Sequence, residues 1–268
     1  MHNLGPYQIN NIYAGECSEM MSKLPDACID LTPTSPPYDN LRDYNGFTFD
    51  YKAVINQLYR VTKPGGVVVW VVADATINGS ETGTSFKQAL FAMECGFNLH
   101  DTMIYEQAGT GAKGSNLAYW QSFEYMFVFS KGQPKTVSRI ADAKNKQVGK
   151  LNGQQNKSSR MGTRTERGRR ITPQYSVRTN IWRYQVGNNG DKSTNHPAPF
   201  PEKLVRDHII SWSKPGDLVL DPMAGSGRTC KAAMQNGRYF LGFDISPEYV
   251  SSAREYVMHS NPPLLVIG

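Results

Sequence analysis

Apolar and polar positions alternate along this chain in two distinct periods. Gln8–Ala14 and Cys28–Thr34 are short runs rich in β-branched and aromatic residues and predict strands. Between and after them, Ser18–Lys23 and Asp50–Thr62 predict helices; Val54, Leu58 and Val61 fall on one face of the second. Pro25 ends the first helix and Lys63-Pro64-Gly65-Gly66 ends the second. Val67–Ala73 is apolar without interruption, the pattern of a strand buried on both faces. Ser85–Glu94 predicts a further helix, stopped near Gly96, and Asn98–Glu106 and Glu124–Phe129 predict two more strands. The pattern then lapses and resumes. Pro201–Ser213 reads as a helix with Leu204, Ile209 and Trp212 available to a core. Asp217–Asp221 reads as a strand, Arg228–Gln235 as a helix, Tyr239–Asp244 as a strand and Glu248–Met258 as a last helix. Strands alternating with helices predict an α/β fold with a mainly parallel sheet. Thr32-Pro33 is an unusual pair for such a strand and predicts a distorted edge there.

Charge changes this picture at Lys131. From Lys131 to Arg178 there are thirteen Lys or Arg and two acids, Asp142 and Glu166, a net +11 that leaves −5 on the rest of a +6 chain. The stretch to about Arg170 has few large apolar residues and cannot build a core of its own. We therefore read residues 1–130 and 196–268 as one domain and 131–195 as an insertion, with Trp182 and Tyr184 packing it back onto the core. A strongly basic insert suits a polyanion such as DNA; by charge alone, a solvated loop suits the pattern equally well.

Other features exclude more than they assign. No apolar run approaches the ~20 residues of a membrane span. Met1–Asn10 lacks a basic region followed by an apolar core, so we expect no signal peptide and a cytoplasmic location. Cys17, Cys28, Cys95 and Cys230 are scattered without a CxxC pair, so no metal site is expected. None of them follows a proline, which excludes the Pro-Cys nucleophile of cytosine-C5 methylation.

Two segments carry chemistry. Leu218-Val219-Leu220-Asp221 runs into Pro222-Met223-Ala224-Gly225-Ser226-Gly227 and then into a helix: a strand, a tight glycine turn and a helix start. The next strand ends at Asp244, 23 residues after Asp221, close to the ~20-residue spacing at which an acid meets ribose hydroxyls. A glycine turn alone is just a connection, but with this acid it favours an adenosine cofactor. GxGxxG is absent, and Asp221 suits the amino group of a methionine moiety better than a pyrophosphate. The residues therefore favour S-adenosylmethionine over NAD. The second segment, Thr34-Ser35-Pro36-Pro37-Tyr38, leaves a strand at the edge where such sheets bind ligands. Prolines have no N–H and hold neighbouring carbonyls out as rigid acceptors, which suits an exocyclic NH₂; Tyr38 offers a flat face to a base. Taken alone, the tetrapeptide is as well read as a stiffened strand end.

Together the segments resemble the amino-methyltransferases of DNA, which make N4-methylcytosine or N6-methyladenine. The likeness extends over most of the chain outside the insert. Gly15-Glu16-Cys17, Leu24-Pro25-Asp26 and Asp30-Leu31 precede the Ser-Pro-Pro-Tyr turn as in that family. Lys63-Pro64-Gly65-Gly66-Val67 and His196-Pro197-Ala198-Pro199-Phe200-Pro201-Glu202-Lys203-Leu204 follow as further landmarks. Catalytic turn first, recognition region next and cofactor loop last resembles the family's β arrangement. The resemblance implies a Rossmann-like S-adenosylmethionine-dependent methyltransferase sheet with an inserted basic DNA-recognition region.

It also implies roles. Ser35, Pro36, Pro37 and Tyr38 hold a flipped base. Asp221, Met223, Ala224, Gly225, Ser226 and Gly227 hold the methionine end of the cofactor, Asp244 the ribose, and Glu16 lies near the adenine. The family more often has Asp at position 16 and Phe at position 223. In the insert, Lys157, Arg160, Arg164, Arg167, Arg169 and Arg170 are expected on DNA phosphates. His196 reads as a structural or cofactor-edge residue rather than a catalytic base. Ser35, where most adenine enzymes of the family have Asp, favours cytosine-N4; adenine-N6 is the alternative, and a non-catalytic DNA-binding module on the same fold is the competitor from another class. DNA is the expected partner; the sequence leaves open a cognate restriction endonuclease or a solitary enzyme, and a monomer or homodimer.

Overall fold

The computed structural model describes residues 3–37, 49–109, 119–152, 157–158, 164–165, 170–185 and 201–259. It divides into two compact units, Met1–Ser138 with Asn180–Gly268, and Arg139–Thr179.

The larger unit is built on β1 (Asn11–Ala14), β2 (Ile29–Thr34), β3 (Thr62–Val72), β4 (Asn98–Ala108), β5 (Phe123–Ser130), β6 (Ile181–Gln185), β7 (Leu218–Asp221) and β8 (Tyr239–Asp244). Its helices are α1 (Cys17–Ser22), α2 (Tyr51–Val61), α3 (Thr84–Glu94), α4 (Glu202–Trp212), α5 (Arg228–Gln235) and α6 (Pro247–Met258). The strands form one sheet in the order β6-β4-β5-β3-β2-β7-β8-β1. Only β5 runs against its neighbours. The α/β fold with a mainly parallel sheet expected from the sequence is thus the fold observed.

Alternation across β3 and β5 divides the core between two faces. Trp70 points to α3, where its indole N–H donates to Gln88 at 2.8 Å. Its neighbours Val68, Val72, Phe127 and Phe129 close a core with Met21 of α1, Ile55 and Leu58 of α2 and Ala92 of α3. Each large aliphatic side chain buried there contributes roughly 1.5–3 kcal/mol. Met126 points the other way, to α4, with its sulfur 3.2 Å from His208 Nε2.

Within the expected insertion 131–195, residues 139–179 form a compact unit, and Ile181–Gln185 is an edge strand of the main sheet, parallel to β4. Trp182 and Tyr184 are therefore sheet residues. Trp182 stacks on His208 with ring centroids 4.7 Å apart, and the Tyr184 hydroxyl donates to Asp207 at 2.8 Å. Five residues with alternating burial, bounded by polar sequence, are too short a signal to separate from the insert by pattern.

The smaller unit is a β-ribbon arm. Three antiparallel pairings nest within one another: Ala143–Lys144 with Tyr175–Ser176, Leu151–Asn152 with Arg170–Ile171, and Lys157–Ser158 with Arg164–Thr165. At its base Arg178 Nε donates to Asp142 at 2.6 Å, and the Arg178 N–H donates to the Ile140 carbonyl at 3.0 Å. Among the described residues no helix is long and apolar enough to cross a membrane.

Candidate active site

The carboxyl ends of β1, β8, β7 and β2 lie side by side on one edge of the sheet, because these four strands are parallel neighbours. Pairing is weakest between β2 and β7, where a single register pair, Val219 with Leu31, joins them. Two residues past Leu31 stands Pro33, which has no N–H to donate. Beyond it the β2–β3 ladder continues to Thr34 and Trp70, while β7 turns away into the glycine loop. Here the strand order reverses, the position at which open α/β sheets bind their ligands.

A side-chain bond spans this opening. The Thr34 hydroxyl donates to Asp221 Oδ1 at 2.9 Å, and the Met223 N–H donates to the same oxygen at 3.2 Å. Thr34 immediately precedes Ser35, so one bond ties the proline turn to the cofactor-type loop across 187 residues of chain. Asp221 is buried, and burial pushes its carboxyl up to about 6. The hydroxyls of Thr229 and Thr34 and the Met223 N–H pull it down, and the nearby Asp244 charge adds to the rise.

The loop is shaped by its glycines. Gly227, with φ +78°, closes the turn through its N–H to the Ala224 carbonyl at 2.7 Å and opens α5. A Cβ there would meet Ala253 of α6 at 2.9 Å, so both conformation and space require glycine. The Gly225 N–H donates to Asp244 Oδ2 at 2.8 Å, and the Ser246 N–H donates to Asp244 Oδ1 at 3.0 Å. Asp244 is thereby pinned at the end of β8, and its carbonyl accepts from Gly15 N–H at 2.9 Å, next to Glu16. Glu16 caps α1, accepting the N–H groups of Ser18 at 3.0 Å and Glu19 at 2.8 Å. Burial raises its carboxyl, but these bonds and that of the Ser18 hydroxyl outweigh it and hold it below the ordinary value.

The structure thus gathers Glu16, Asp221, Ala224, Gly225, Ser226, Gly227 and Asp244 along one edge, with Ser35, Pro36 and Pro37 beside them. Pro36, Ala224 and Ser226 are buried; Ser35, Pro37 and Met223 are half-buried, and Met223 rests on the main core. Tyr38, His196, Arg160, Arg167 and Arg169 lie outside the described residues. Lys157, Arg164 and Arg170 stand on strands of the arm. Thr34 is the residue the sequence reading missed. Its signal was a hydroxyl at the last position of a strand otherwise aimed at a ligand edge. Cys17, Cys28 and Cys230 have thiols pushed up by burial, which keeps them protonated rather than nucleophilic. Among the described residues no three His, Cys, Asp or Glu gather as a metal site.

One loop built for a donor and one turn built for an acceptor, joined at a single opening of the sheet, define a methyltransferase of the open α/β class. Residues 29–255 match the model of the N6/N4 DNA methylase family, and the chain belongs to that family. It is 51% identical over 245 residues to the orphan methyltransferase M.BamHII of Bacillus amyloliquefaciens, covering 88% of this chain and 91% of that relative. The DNA adenine methyltransferase YhdJ of Escherichia coli K12 is 26% identical over 264 residues, 91% of this chain and 81% of that protein. The solved PvuII DNA methyltransferase (cytosine-N4-specific) shares the fold with a TM-score of 0.67 at 19% identity, covering 96% of this chain and 94% of that one. TTHA0409 of Thermus thermophilus, complexed with S-adenosyl-L-methionine, gives a TM-score of 0.62 at 23% identity, covering 94% of this chain and 96% of that one.

Proposed function

We propose that this DNA methylase transfers a methyl group from S-adenosylmethionine to the exocyclic N4 of cytosine, and that the arm reads the DNA. The observation that carries the reading is the Thr34–Asp221 bond, which sets the Ser-Pro-Pro turn against the glycine loop. The residues present fit the cofactor: Gly227 closes the tight turn at the strand end, Asp221 suits an α-amino cation, and Asp244 suits a ribose diol.

S-adenosylmethionine supplies an electrophilic methyl on a sulfonium, attacked in line by nitrogen. The chain's task is positioning. The Ser35 side chain and the Pro36 carbonyl accept hydrogen bonds from the amino group and turn its lone pair toward the donor. As the nitrogen becomes cationic, the same acceptors stabilise its N–H groups until one proton passes to solvent water. Ser35 favours cytosine because an Asp commonly stands there in adenine enzymes of the family. The orphan name of M.BamHII supports a solitary enzyme over one paired with a restriction endonuclease. Methylation mapping of DNA from cells with and without the gene tests the reading; modified cytosines at one sequence support it, and modified adenines alone reject the base.

Asp221 gives a pH signature. Between its ordinary 3.8 and about 6 the folded chain holds a proton that the unfolded chain has lost, so stability falls as pH rises through that window. Asp221→Asn is expected to be more stable than the parent at pH 8, by up to roughly 3 kcal/mol. Cofactor affinity runs the other way. It is expected to rise as pH passes about 6, where the carboxylate ionises, and to be flat with pH in Asp221→Asn. Calorimetry from pH 5 to 8 on parent and variant checks both; a flat profile for the parent contradicts the assignment.

A further inference from the structure

We propose that Leu151 and Ile171, an exposed apolar pair on the arm, read thymine methyl groups in the major groove of the target site. The inference rests on the reading that the arm meets DNA. The two residues are direct cross-strand partners in an antiparallel ladder, so their side chains share one face of the ribbon. They are 57% and 66% exposed. Thr172, the residue after the strand, is buried. Its N–H donates to the Lys150 carbonyl at 2.9 Å and its carbonyl accepts the Gly149 N–H at 3.0 Å. The ladder is held, and the apolar pair is held out.

What covers such a pair is decided by its surroundings. Residues 139–179 carry eleven Lys or Arg and two acids, a net +9. A second copy of the arm would set +9 against +9, whereas DNA brings phosphates that neutralise it. The major groove is wide enough for a two-stranded ribbon. The apolar group that base pairs present there is the C5-methyl of thymine; the minor groove presents none. Two adjacent aliphatic side chains on a cationic ribbon therefore fit a site containing thymine.

Replacing every thymine by deoxyuridine, by amplification with dUTP, removes the methyl and keeps every hydrogen-bonding group. The parent's kcat/KM for methyl incorporation is expected to fall about fourfold for each methyl contacted. Leu151→Ala with Ile171→Ala is expected to lose activity on thymine DNA and to treat the two DNAs alike. Leu151→Met, which stays apolar, is expected to keep the discrimination. Equal activity of the parent on both DNAs overturns the inference, as does a double variant that keeps the parent's ratio. A double variant that changes its sedimentation but not its ratio assigns the pair to a second copy and also overturns it. Deleting Gln147–Arg170 separates the two levels. If the deletion weakens DNA binding while the parent ignores the methyl, this inference alone fails; if the deletion changes nothing, the arm reading has failed.

Discussion

Ser35→Ala is expected to slow methyl transfer by about 10²–10³-fold in a single turnover, the size of effect seen when one preorganised polar contact to the reacting group is removed. Cofactor affinity is expected to stay within about twofold. The separation follows from the geometry. The backbone just before Ser35 is anchored by the Thr34 hydroxyl on Asp221, and Asp221 is fixed in turn by the Met223 N–H. Truncating Ser35 leaves that anchor in place and removes the hydroxyl that aims the amino group. Rapid-quench transfer rates and calorimetric cofactor titration, run on the same preparation, decide the point. A transfer rate within threefold of the parent would remove Ser35 from the chemistry.

Deleting Gln147–Arg170 and bridging the gap with a short Gly-Ser linker is expected to have the second large effect, on DNA affinity. The segment carries seven cations, Lys150, Lys157, Arg160, Arg164, Arg167, Arg169 and Arg170, and one acid, Glu166. Each cation that meets a phosphate contributes about 0.9 to the slope of log affinity against log salt, so the slope is expected to become shallower by up to about 6. The ladder of Ala143–Lys144 with Tyr175–Ser176 lies outside the deletion, and the main sheet does not include the segment. Cofactor binding is therefore expected to persist. Fluorescence anisotropy across a salt series measures the slope; an unchanged slope would mean that DNA is held elsewhere.

The elements of the main unit were legible wherever burial imposed a period. Val67–Val72 is buried on both faces and reads as an unbroken apolar run; Val54, Leu58 and Val61 lie one turn apart because one face of α2 is buried. The glycine turn and the strand-end acids were legible because their conformations restrict residue type. Strand order was not, since the pairing of β2 with β7 joins Leu31 to Val219 across most of the chain and leaves no local mark. The same distance hid the partnership of Thr34 with Asp221. β6 was absorbed into the insert because its solvent face, Ile181, Arg183 and Gln185, has the mixed character of the sequence around it. The arm's charge was plain, but its ladders carry little apolar alternation to read. Pro33 was legible as an anomaly, and its place beside the weakest pairing in the sheet gives that anomaly a position in the site.

The atom that is methylated can be identified directly. Purified protein, S-adenosylmethionine and DNA from a host without methylases are incubated together, the DNA is digested to nucleosides, and the products are separated by mass spectrometry. N4-methyldeoxycytidine that grows with time and is absent without cofactor is the expected product. N6-methyldeoxyadenosine as the sole product would contradict the cytosine assignment, and no methylated nucleoside under conditions where the cofactor binds would contradict the enzyme itself.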